Sequence, residues 1–508
     1  MEFDKVLKTV GEFGRVQKSN FLLLASMNGF MAMHMLALAF VGKEPQHVFC
    51  GDNPRATVHP CSPKARPCSH YTYSNEFTSI VTEWDLVCGN AYKVGLVQSI
   101  FMFGVLTGVM LFGMMADKYG RRKISLLGLI LMSMFGMLSA LTQSYVQFAV
   151  TRFLLGMATG GVILCSFVLA TENLGTAYRG PAGTILQAIF CIGIMLFAVL
   201  AYFIRSWRVL LFTTTLPLIG YLSINWLVPE SPRWLASQGR VSEAEDILYY
   251  IGHTNGKNIT KAMVKLKISS NPTSAKQYGI LDCFRTPVIR SRMIIMIFTW
   301  FTCSMVYYGL TMNASNQGGN MYTSFALSGV AELPAYAVCF LLLNKFGRRK
   351  LLLMSTFTAG ITCLSLVTVP AHPETENLRI SLAFVGKMGI AAAFNIVYIF
   401  ASELLPTVVR NSGMGVCSVA ARFGGVVAPS VIMMGDLLAF LVFGAAAFIS
   451  GVLDLWLPET LDKALPESIR DVEDGDVRWR DEDTVVVKDA KSMEMVEKIE
   501  MFKKDEMV

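Results

Sequence analysis

The feature that most constrains this chain is the recurrence of apolar stretches about twenty residues long. An α-helix of that length crosses the hydrocarbon core of a lipid bilayer. Hydrophobic residues make up 53% of the chain and charged residues only 16%, so a soluble fold would leave much apolar surface in water. The sequence predicts an all-α membrane protein and excludes soluble-enzyme, disordered and nucleic-acid-binding classes. Twelve spans are predicted, at residues 21–41, 93–116, 124–143, 146–170, 182–204, 208–228, 292–312, 320–343, 351–370, 379–401, 411–434 and 437–457.

The distribution of lysine and arginine predicts the orientation. Twelve spans place both termini on one side of the membrane. If that side is the cytoplasm, the cytoplasmic segments before the C-terminal tail carry 24 Lys and Arg residues and the extracellular segments carry six. Because basic residues accumulate on cytoplasmic loops, we expect a multi-pass plasma-membrane protein with both termini inside. The segment from Met1 to Asn20 is polar and charged, and no signal peptide is predicted.

The chain divides into two six-helix units with polar segments around them. We expect a long cytoplasmic segment between the units. After the second unit comes an acidic tail, in which 16 acidic residues outnumber nine basic ones from Glu459 onward. The tail is predicted to be disordered, and its terminal Val508 offers a carboxylate to a PDZ-type groove. The predicted parts are a cytoplasmic N-terminus 1–20, a first bundle 21–228 that includes extracellular loop 42–92, a cytoplasmic loop 229–291, a second bundle 292–457 and the tail 458–508.

Four cysteines lie close together in the first long loop. Outside the cell, such a group is typical of a disulfide framework rather than a metal site. We expect two disulfides, with all three connectivities open, among Cys50, Cys61, Cys68 and Cys88.

Two short motifs occur twice. A Gly-Arg-Arg-Lys sequence begins at Gly120 and again at Gly347. A glutamate followed seven positions later by arginine begins at Glu172 and again at Glu403. The interval between the two glycines nearly equals the interval between the two glutamates, and this agreement predicts a duplicated six-helix unit. Such repeats place a substrate site between the halves near the bilayer midplane, with access from the two sides in turn.

The repeated motifs also predict a charged gate on the cytoplasmic face. Arginine and lysine there can bind carboxylates and the carbonyl groups at helix C-termini. Ion pairs of this kind would hold the cytoplasmic ends of the helices together, although a simple topological charge bias explains isolated basic residues equally well. The predicted gate residues are Asp117, Arg121, Arg122, Glu172, Arg179, Arg348, Arg349, Glu403 and Arg410.

The motif pair resembles the major facilitator superfamily. Within it, the sequences beginning at Pro229, Tyr307, Glu403 and Leu457 resemble solute carrier family 22, whose members transport organic cations, anions and zwitterions. The resemblance covers nearly the whole chain except the acidic tail. It implies the major facilitator fold: twelve helices in two pseudo-symmetric bundles and an extracellular loop with disulfides. One departure is Asn344, which stands where the second motif of the family has an acidic residue, so the gate is expected to be asymmetric.

Charged residues inside spans are costly and mark candidate functional sites. Lys387 and Arg422 lie in the second half beside glycines, and Arg422 can bind a carboxylate bidentately. The resemblance implies the same, because cation-selective relatives carry Asp at this position and anion or carnitine transporters carry Arg. Glu332 is expected either to attract a cationic head group or to pair with Arg422 or Lys387. Arg152 in span 4 is expected to make a structural pair within the protein, with a conformational or proton-coupling role as the alternative.

Aromatic residues complete the predicted site. They can hold a quaternary ammonium or a flat ring by cation–π contact and stacking. The resemblance implies that Gln187, Phe190, Trp300 and Tyr307 contact substrate, and the remaining candidates are Tyr308, Phe394, Tyr398 and, in span 1, His34. His34 is alternatively a hydrogen-bonded structural residue.

The leading functional prediction is a carrier of small organic ions that prefers zwitterions and cations of the carnitine or betaine type. The alternatives are an organic anion exchanger and a non-transporting receptor of transporter ancestry. No phosphate-binding loop or zinc-protease motif occurs, so we expect neither an enzyme nor a cofactor. The expected partners are the substrate and the lipid bilayer, with Na⁺ or H⁺ left open as a coupling ion.

Overall fold

The computed structural model describes residues 2–45, 47–50, 61, 71–224, 228–265, 279–316, 320–370, 372–461, 463 and 465–473. Cys68, the acidic tail from residue 474 onward and the predicted PDZ-type terminus lie outside these ranges.

Twelve helical spans form the body of the protein. Numbered 1 to 12 in chain order, they are Arg15–Met35, Tyr92–Tyr119, Arg121–Leu141, Tyr145–Glu172, Thr176–Phe203, Trp207–Ile224, Pro287–Asn313, Met321–Val330 with Glu332–Phe346, Arg348–Thr368, Glu376–Leu404, Thr407–Ile432 and Asp436–Asp454.

Every predicted span corresponds to a helix. Eleven of the helices in the described residues are long and apolar enough to cross a membrane, and the twelfth, span 6, is a shorter apolar helix over Trp207–Leu222. Most helices start several residues before the predicted position. Polar residues such as those beginning at Arg121 and Arg348 continue the helix past the apolar stretch, because a helical backbone satisfies its own hydrogen bonds at the membrane surface as well as inside it.

Span 8 is interrupted in its middle. Its first segment ends at Val330 and its second begins at Glu332. Pro334 explains the break, because proline lacks an amide hydrogen and its ring clashes with the carbonyl group four residues earlier, that of Val330. The interruption places Glu332 at the start of a helical segment inside the bundle.

One face of the bundle carries the loop after span 1, and we call it the loop face. Two short antiparallel strands, Val48–Cys50 and Tyr71–Tyr73, pair there, and Cys61 forms a disulfide with Cys88. Cys50 is disulfide-bonded as well. The sequence predicted the disulfides but not the strand pair. The remaining elements on this face are Leu38–Val41, Ile80–Trp84, Cys88–Asn90, Ala314–Asn316 and Pro373–Thr375.

The opposite face carries the helices that precede span 1 and follow span 12, and we call it the terminal face. The helix Glu2–Val10 packs on Val241–Thr254 from the predicted cytoplasmic loop, and Ile469–Glu473 packs on the start of span 7. This face also holds Pro232–Ser237, Lys261–Val264 and Ile280–Phe284.

Candidate functional site

Glu332 lies at the centre of a buried polar cluster between the two halves. Tyr307 donates its hydroxyl to Oε1 of Glu332 at 2.7 Å, and Tyr336 donates to Oε2 at 3.0 Å. Cys191 of span 5, in the first half, donates its thiol to Oε2 at 2.9 Å. Lys387 completes this set, which we call the Glu332 cluster.

Lys387 forms an ion pair with Glu332. Its Nζ lies 3.0 Å from Oε1 of Glu332, and both side chains are almost completely buried. The same ammonium group donates to Thr311 and lies 3.2 Å from the centre of the Tyr307 ring. Of the two roles left open for Glu332, the structure shows pairing, and the partner is Lys387.

Aromatic rings extend from the Glu332 cluster along spans 7 and 10. Tyr307 meets Tyr308 edge to face, with ring centres 5.3 Å apart, and lies 5.8 Å from Phe394. Phe394 and Tyr398 follow at 5.6 Å, and Trp300 lies 4.2 Å from Tyr398. We call these five residues the aromatic row. Trp300 is fully buried, whereas Phe394 and Tyr398 are partly exposed.

Arg422 of span 11 lies beside the aromatic row. It interacts with Tyr308 and Tyr398, and its Nε is buried without a hydrogen-bond partner. Among the described residues, the ion pairs do not include one to Arg422, and its side chain is partly exposed. Arg422 therefore differs from Lys387, since it is accessible and its charge is not neutralised by a carboxylate.

The remaining predicted substrate residues lie in the first half. Gln187 and Phe190 are partly exposed on span 5, and Gln187 is one helical turn before Cys191. His34 is fully buried and contacts residues of its own half, with its Nε2 3.5 Å from the hydroxyl of Thr215. These contacts favour the structural interpretation of His34 over a role in binding.

Arg152 is the buried cation of the first half. Its Nη2 donates to the carbonyl of His34 at 2.9 Å, and its guanidinium lies 4.2 Å from the centre of the Phe101 ring. The expected structural pairing is present, although its partners are a carbonyl group and a ring rather than an acid.

The two halves meet from mid-membrane to the loop face. Lys43 donates to the carbonyl of Ser315 at 3.0 Å, and Ser99 donates to the carbonyl of Val426 at 2.8 Å. Phe40 stacks on Tyr322 with ring centres 5.5 Å apart. In the described part of the chain, this region holds the hydrogen bonds, ion pairs and ring contacts found between the spans of the two halves. The hydrogen bond from the thiol of Cys191 to Glu332 is one of them. The two halves are therefore joined more tightly at the loop face than at the terminal face.

Some of the predicted gate residues form ion pairs, each within its own half. Arg121 lies 3.0 Å from Asp117 and 3.4 Å from Glu172. In the second half Arg348 lies 3.0 Å from Glu403, while Asn344 provides no charge at the position of Asp117. The expected asymmetry is present.

A glutamate caps the repeated turn in each half. Oε1 of Glu230 accepts the amide of Arg122 at 3.1 Å, and Oε1 of Glu459 accepts the amide of Arg348 at 2.8 Å. The glycines that open the turns have positive φ, +107° at Gly120 and +89° at Gly347, and a Cβ at either one would lie 2.4 Å from the capping carboxylate. Glycine is thus required by both backbone conformation and space.

The caps were not predicted as functional residues, although the sequence contains a signal for them. The number of residues from Glu230 to Glu459 lies between the number from Gly120 to Gly347 and the number from Glu172 to Glu403. The two glutamates therefore follow the spacing of the repeated motifs. Burial alone would raise the pKa of Glu459, but hydrogen bonds from the amides of Arg348, Thr460, Leu461 and Arg349 outweigh it and hold that pKa below its usual value.

The other predicted gate arginines bind carbonyl groups or line surface cavities. Arg179 donates to the carbonyl of Leu174 at 3.2 Å, and Arg410 donates to that of Leu405 at 3.3 Å. Each arginine thereby fixes the chain just before its own helix. Arg122 and Arg349 line cavities on the terminal face.

A second buried acid was missed in the sequence. Asp454 is fully buried at the end of span 12, and its Oδ1 accepts a hydrogen bond from Thr299 at 2.8 Å. Ser450 donates to the same Thr299 hydroxyl at 3.2 Å. An aspartate inside the predicted span 437–457 was the available signal.

Comparison with known proteins agrees with this architecture. Residues 59–467 match the family described as sugar (and other) transporter. A protein named solute carrier family 22 member 15-like, from Xenopus tropicalis, is 39% identical over 93% of this chain and 96% of its own length. A protein named organic cation/carnitine transporter 4, from Arabidopsis thaliana, is 35% identical over 90% of this chain and 88% of its own length.

Solved structures support the fold. A partially occluded, inward-open structure of the xylose transporter XylE from E. coli matches with a TM-score of 0.62 at 17% identity, covering 89% of this chain and all of the other. A proton:xylose symporter structure of XylE bound to 6-bromo-6-deoxy-D-glucose matches with a TM-score of 0.61 at 18% identity, covering 88% of this chain and 97% of the other. At these identities the likeness concerns the fold alone. Together with the repeated turns and the twelve spans, the matches show that the chain is a multi-pass membrane transporter, not an enzyme, and that it belongs to solute carrier family 22 of the major facilitator superfamily.

Proposed function

We propose that this protein transports small organic ions that carry a carboxylate, and that zwitterions of the carnitine or betaine type are its preferred substrates. The observation that carries the proposal is the difference between Lys387 and Arg422, the two cations predicted for the substrate site. Lys387 is neutralised by Glu332, whereas Arg422 is accessible and has no carboxylate partner among the described residues. Arg422 therefore offers an uncompensated positive charge to a solute.

The aromatic row supplies the second part of a zwitterion site. A substrate carboxylate on Arg422 would place an attached quaternary ammonium near Tyr398, whose partly exposed ring attracts cations. Gln187 and Phe190 are proposed to contact the same solute from the first half. Glu332 is proposed to act through its pair with Lys387, and a substrate ammonium would have to displace Lys387 in order to reach it.

We propose that transport proceeds by alternating access. The contacts joining the halves at the loop face must break when the site opens to that side. The predicted gate residues on the terminal face then form the gate; they are Asp117, Arg121, Arg122, Glu172, Arg179, Arg348, Arg349, Glu403 and Arg410. The Lys and Arg distribution and the Cys61–Cys88 disulfide support a plasma-membrane protein whose terminal face is cytoplasmic.

Arg422 provides the test. Cells expressing the protein are given labelled carnitine, a labelled dicarboxylate and a labelled quaternary ammonium without a carboxylate. We expect Arg422→Asp to lower carnitine uptake at least about tenfold and to favour the plain cation, because the carboxylate loses a charge-assisted partner and meets a like charge. Arg422→Lys is the matched control and retains part of the uptake. Unchanged carnitine uptake in Arg422→Asp would contradict the proposal.

Organic anion exchange is the second candidate, and the same uncompensated charge on Arg422 favours it. Faster uptake of the dicarboxylate than of carnitine by the unaltered protein would select this alternative. Accumulation in proteoliposomes separates both transport functions from a receptor, which binds solute without accumulating it.

A further inference from the structure

A cavity of about 650 Å³ opens on the terminal face outside the substrate site. It lies between the beginning of span 7, the beginning of span 9 and the end of span 12. Its polar lining comes from Ser291, Arg292 and Arg349, and its apolar lining includes Ile295, Leu455 and Trp456. The cavity therefore combines two guanidinium groups with an apolar wall at one end of the membrane helices.

Both guanidinium groups have hydrogen-bond donors left over. Nη1 of Arg292 and Nε of Arg349 are buried and have no hydrogen-bond partner among the described residues. Nη2 of Arg349 donates to the carbonyl of Leu455, which holds this side chain against the end of span 12. A buried donor without a partner costs free energy, so the cavity favours a ligand with several acceptor oxygens.

The neighbouring carboxylates are engaged elsewhere. Oε1 of Glu473 accepts the amides of Val288 and Ile289 at 2.9 and 3.0 Å, at the start of span 7. Glu459 caps the start of span 9 in the same way. The charge of Glu473 acts on Arg292, but the ion pairs found in the described residues include none from Arg292 or Arg349, so both guanidinium groups remain available to an anion from outside the protein.

The apolar wall indicates what kind of anion fits. Leu455 is 46% exposed and Trp456 is 69% exposed, directly after the last membrane helix. Tryptophan is enriched at membrane–water interfaces, where its ring lies at the level of the lipid head groups. An inorganic anion would leave this wall unused, whereas a lipid would cover it with its acyl chain.

The first half has an equivalent cavity with a different lining. Arg122 takes the place of Arg349 there, and Trp234 is buried and donates its Nε1 to the carbonyl of Asp117 at 2.9 Å. The helices Pro232–Ser237 and Val241–Thr254 supply part of that wall. Residues between the two halves therefore cover the first site, whereas the second site is lined by the exposed Leu455 and Trp456.

We propose that the cavity between spans 7, 9 and 12 binds the phosphate head group of an anionic phospholipid. The phosphate oxygens accept from Arg292 and Arg349, and an acyl chain lies against Leu455 and Trp456. Basic pockets between membrane helices bind such head groups by charge and hydrogen bonding. The bound lipid would join the beginnings of spans 7 and 9 to the end of span 12. This proposal depends on the membrane fold and not on the identity of the transported solute.

The test uses purified full-length protein in detergent. Phosphatidylserine, phosphatidylcholine or inorganic phosphate is titrated, and the thermal unfolding midpoint is followed. We expect phosphatidylserine, which carries a net negative charge, to raise the midpoint more than phosphatidylcholine, whose choline offsets the charge of its phosphate, and we expect inorganic phosphate to have little effect. Arg292→Gln should weaken the apparent affinity for phosphatidylserine about fivefold, the effect of one basic residue near a lipid surface. Arg290→Gln is the matched control, because Arg290 is exposed two residues away and does not line the cavity.

A second variant guards against loss of folding in Arg292→Gln. Trp456 is mostly exposed, so Trp456→Ala should leave the fold intact and weaken the phosphatidylserine effect. Equal stabilisation by phosphatidylserine and phosphatidylcholine would overturn the proposal, and so would equal affinities in Arg292→Gln and Arg290→Gln. Stabilisation by inorganic phosphate that matches phosphatidylserine would identify a soluble anion as the ligand and would also overturn it.

Discussion

Arg152 and Lys387 are buried cations on the fourth helices of their respective halves, and the two are stabilised differently. Arg152 in span 4 binds a carbonyl group and an aromatic ring, whereas Lys387 in span 10 forms an ion pair with Glu332. A carbonyl and a ring carry no charge that a solute could replace. An ion pair can exchange a partner for a charged solute. Under the proposed function, we expect the first half to hold a fixed structural charge and the second half to hold the adjustable one.

The halves resemble each other most closely at the terminal face. Both have the positive-φ glycine, the arginine paired with a glutamate, and the glutamate cap over the start of the following helix. These features fix the turns between neighbouring helices in both halves. The mid-membrane residues, which the solute would contact, differ between the halves.

The largest expected effect concerns the ion pair between Glu332 and Lys387. Glu332→Gln leaves Lys387 buried without its carboxylate, which should cost about 3–5 kcal/mol of unfolding free energy. The thermal unfolding midpoint in detergent measures it, with Glu374→Gln as the control because Glu374 is exposed. The double variant Glu332→Gln with Lys387→Met should recover much of the loss. A double variant as unstable as Glu332→Gln alone would show that the pair is not what stabilises this region.

An intermediate effect is expected from the caps. Glu459→Ala removes the acceptor of four amides and should cost about 2 kcal/mol, whereas Glu230→Ala, which loses the amides of Arg122 and Ser231, should cost about 1 kcal/mol. Hydrogen exchange at the amides of Arg348 and Arg122 reports each turn separately. Equal exchange in the two variants would contradict the difference between the caps.

The smallest effect concerns the asymmetric position. Asn344→Asp adds a carboxylate four residues before Arg348, in the arrangement of Asp117 and Arg121, and should stabilise by about 0.3–0.5 kcal/mol. The value is small because Asp117 itself is 76% exposed. Asp117→Asn is the matched reverse change and should destabilise by a similar amount in the same unfolding measurement. Effects of the same sign in both variants would show that the two turns are not equivalent.

The sequence predicted more of the fold than of the site. The twelve spans, the duplication and the set of charged residues at the repeated turns were available from hydropathy and repeated motifs, but which of these residues pair was not. The partner of Glu332 was left open between a solute, Arg422 and Lys387. The strand pair on the loop face and the hydrogen bonds of Asp454 were not predicted, because each depends on segments that the chain brings together from far apart.

Local chemistry therefore determined the number of spans, the placement of the turns and the charge that each turn carries, since a stretch of apolar residues or a Gly-Arg-Arg-Lys sequence has its effect wherever it occurs. Tertiary structure alone decided which charges remain free. Spans 5, 7, 8 and 10 all contribute to the surroundings of Glu332. Only their packing brings Lys387 within ion-pair distance of Glu332 and leaves Arg422 without an acidic partner among the described residues, because such pairing depends on distances that no single segment contains.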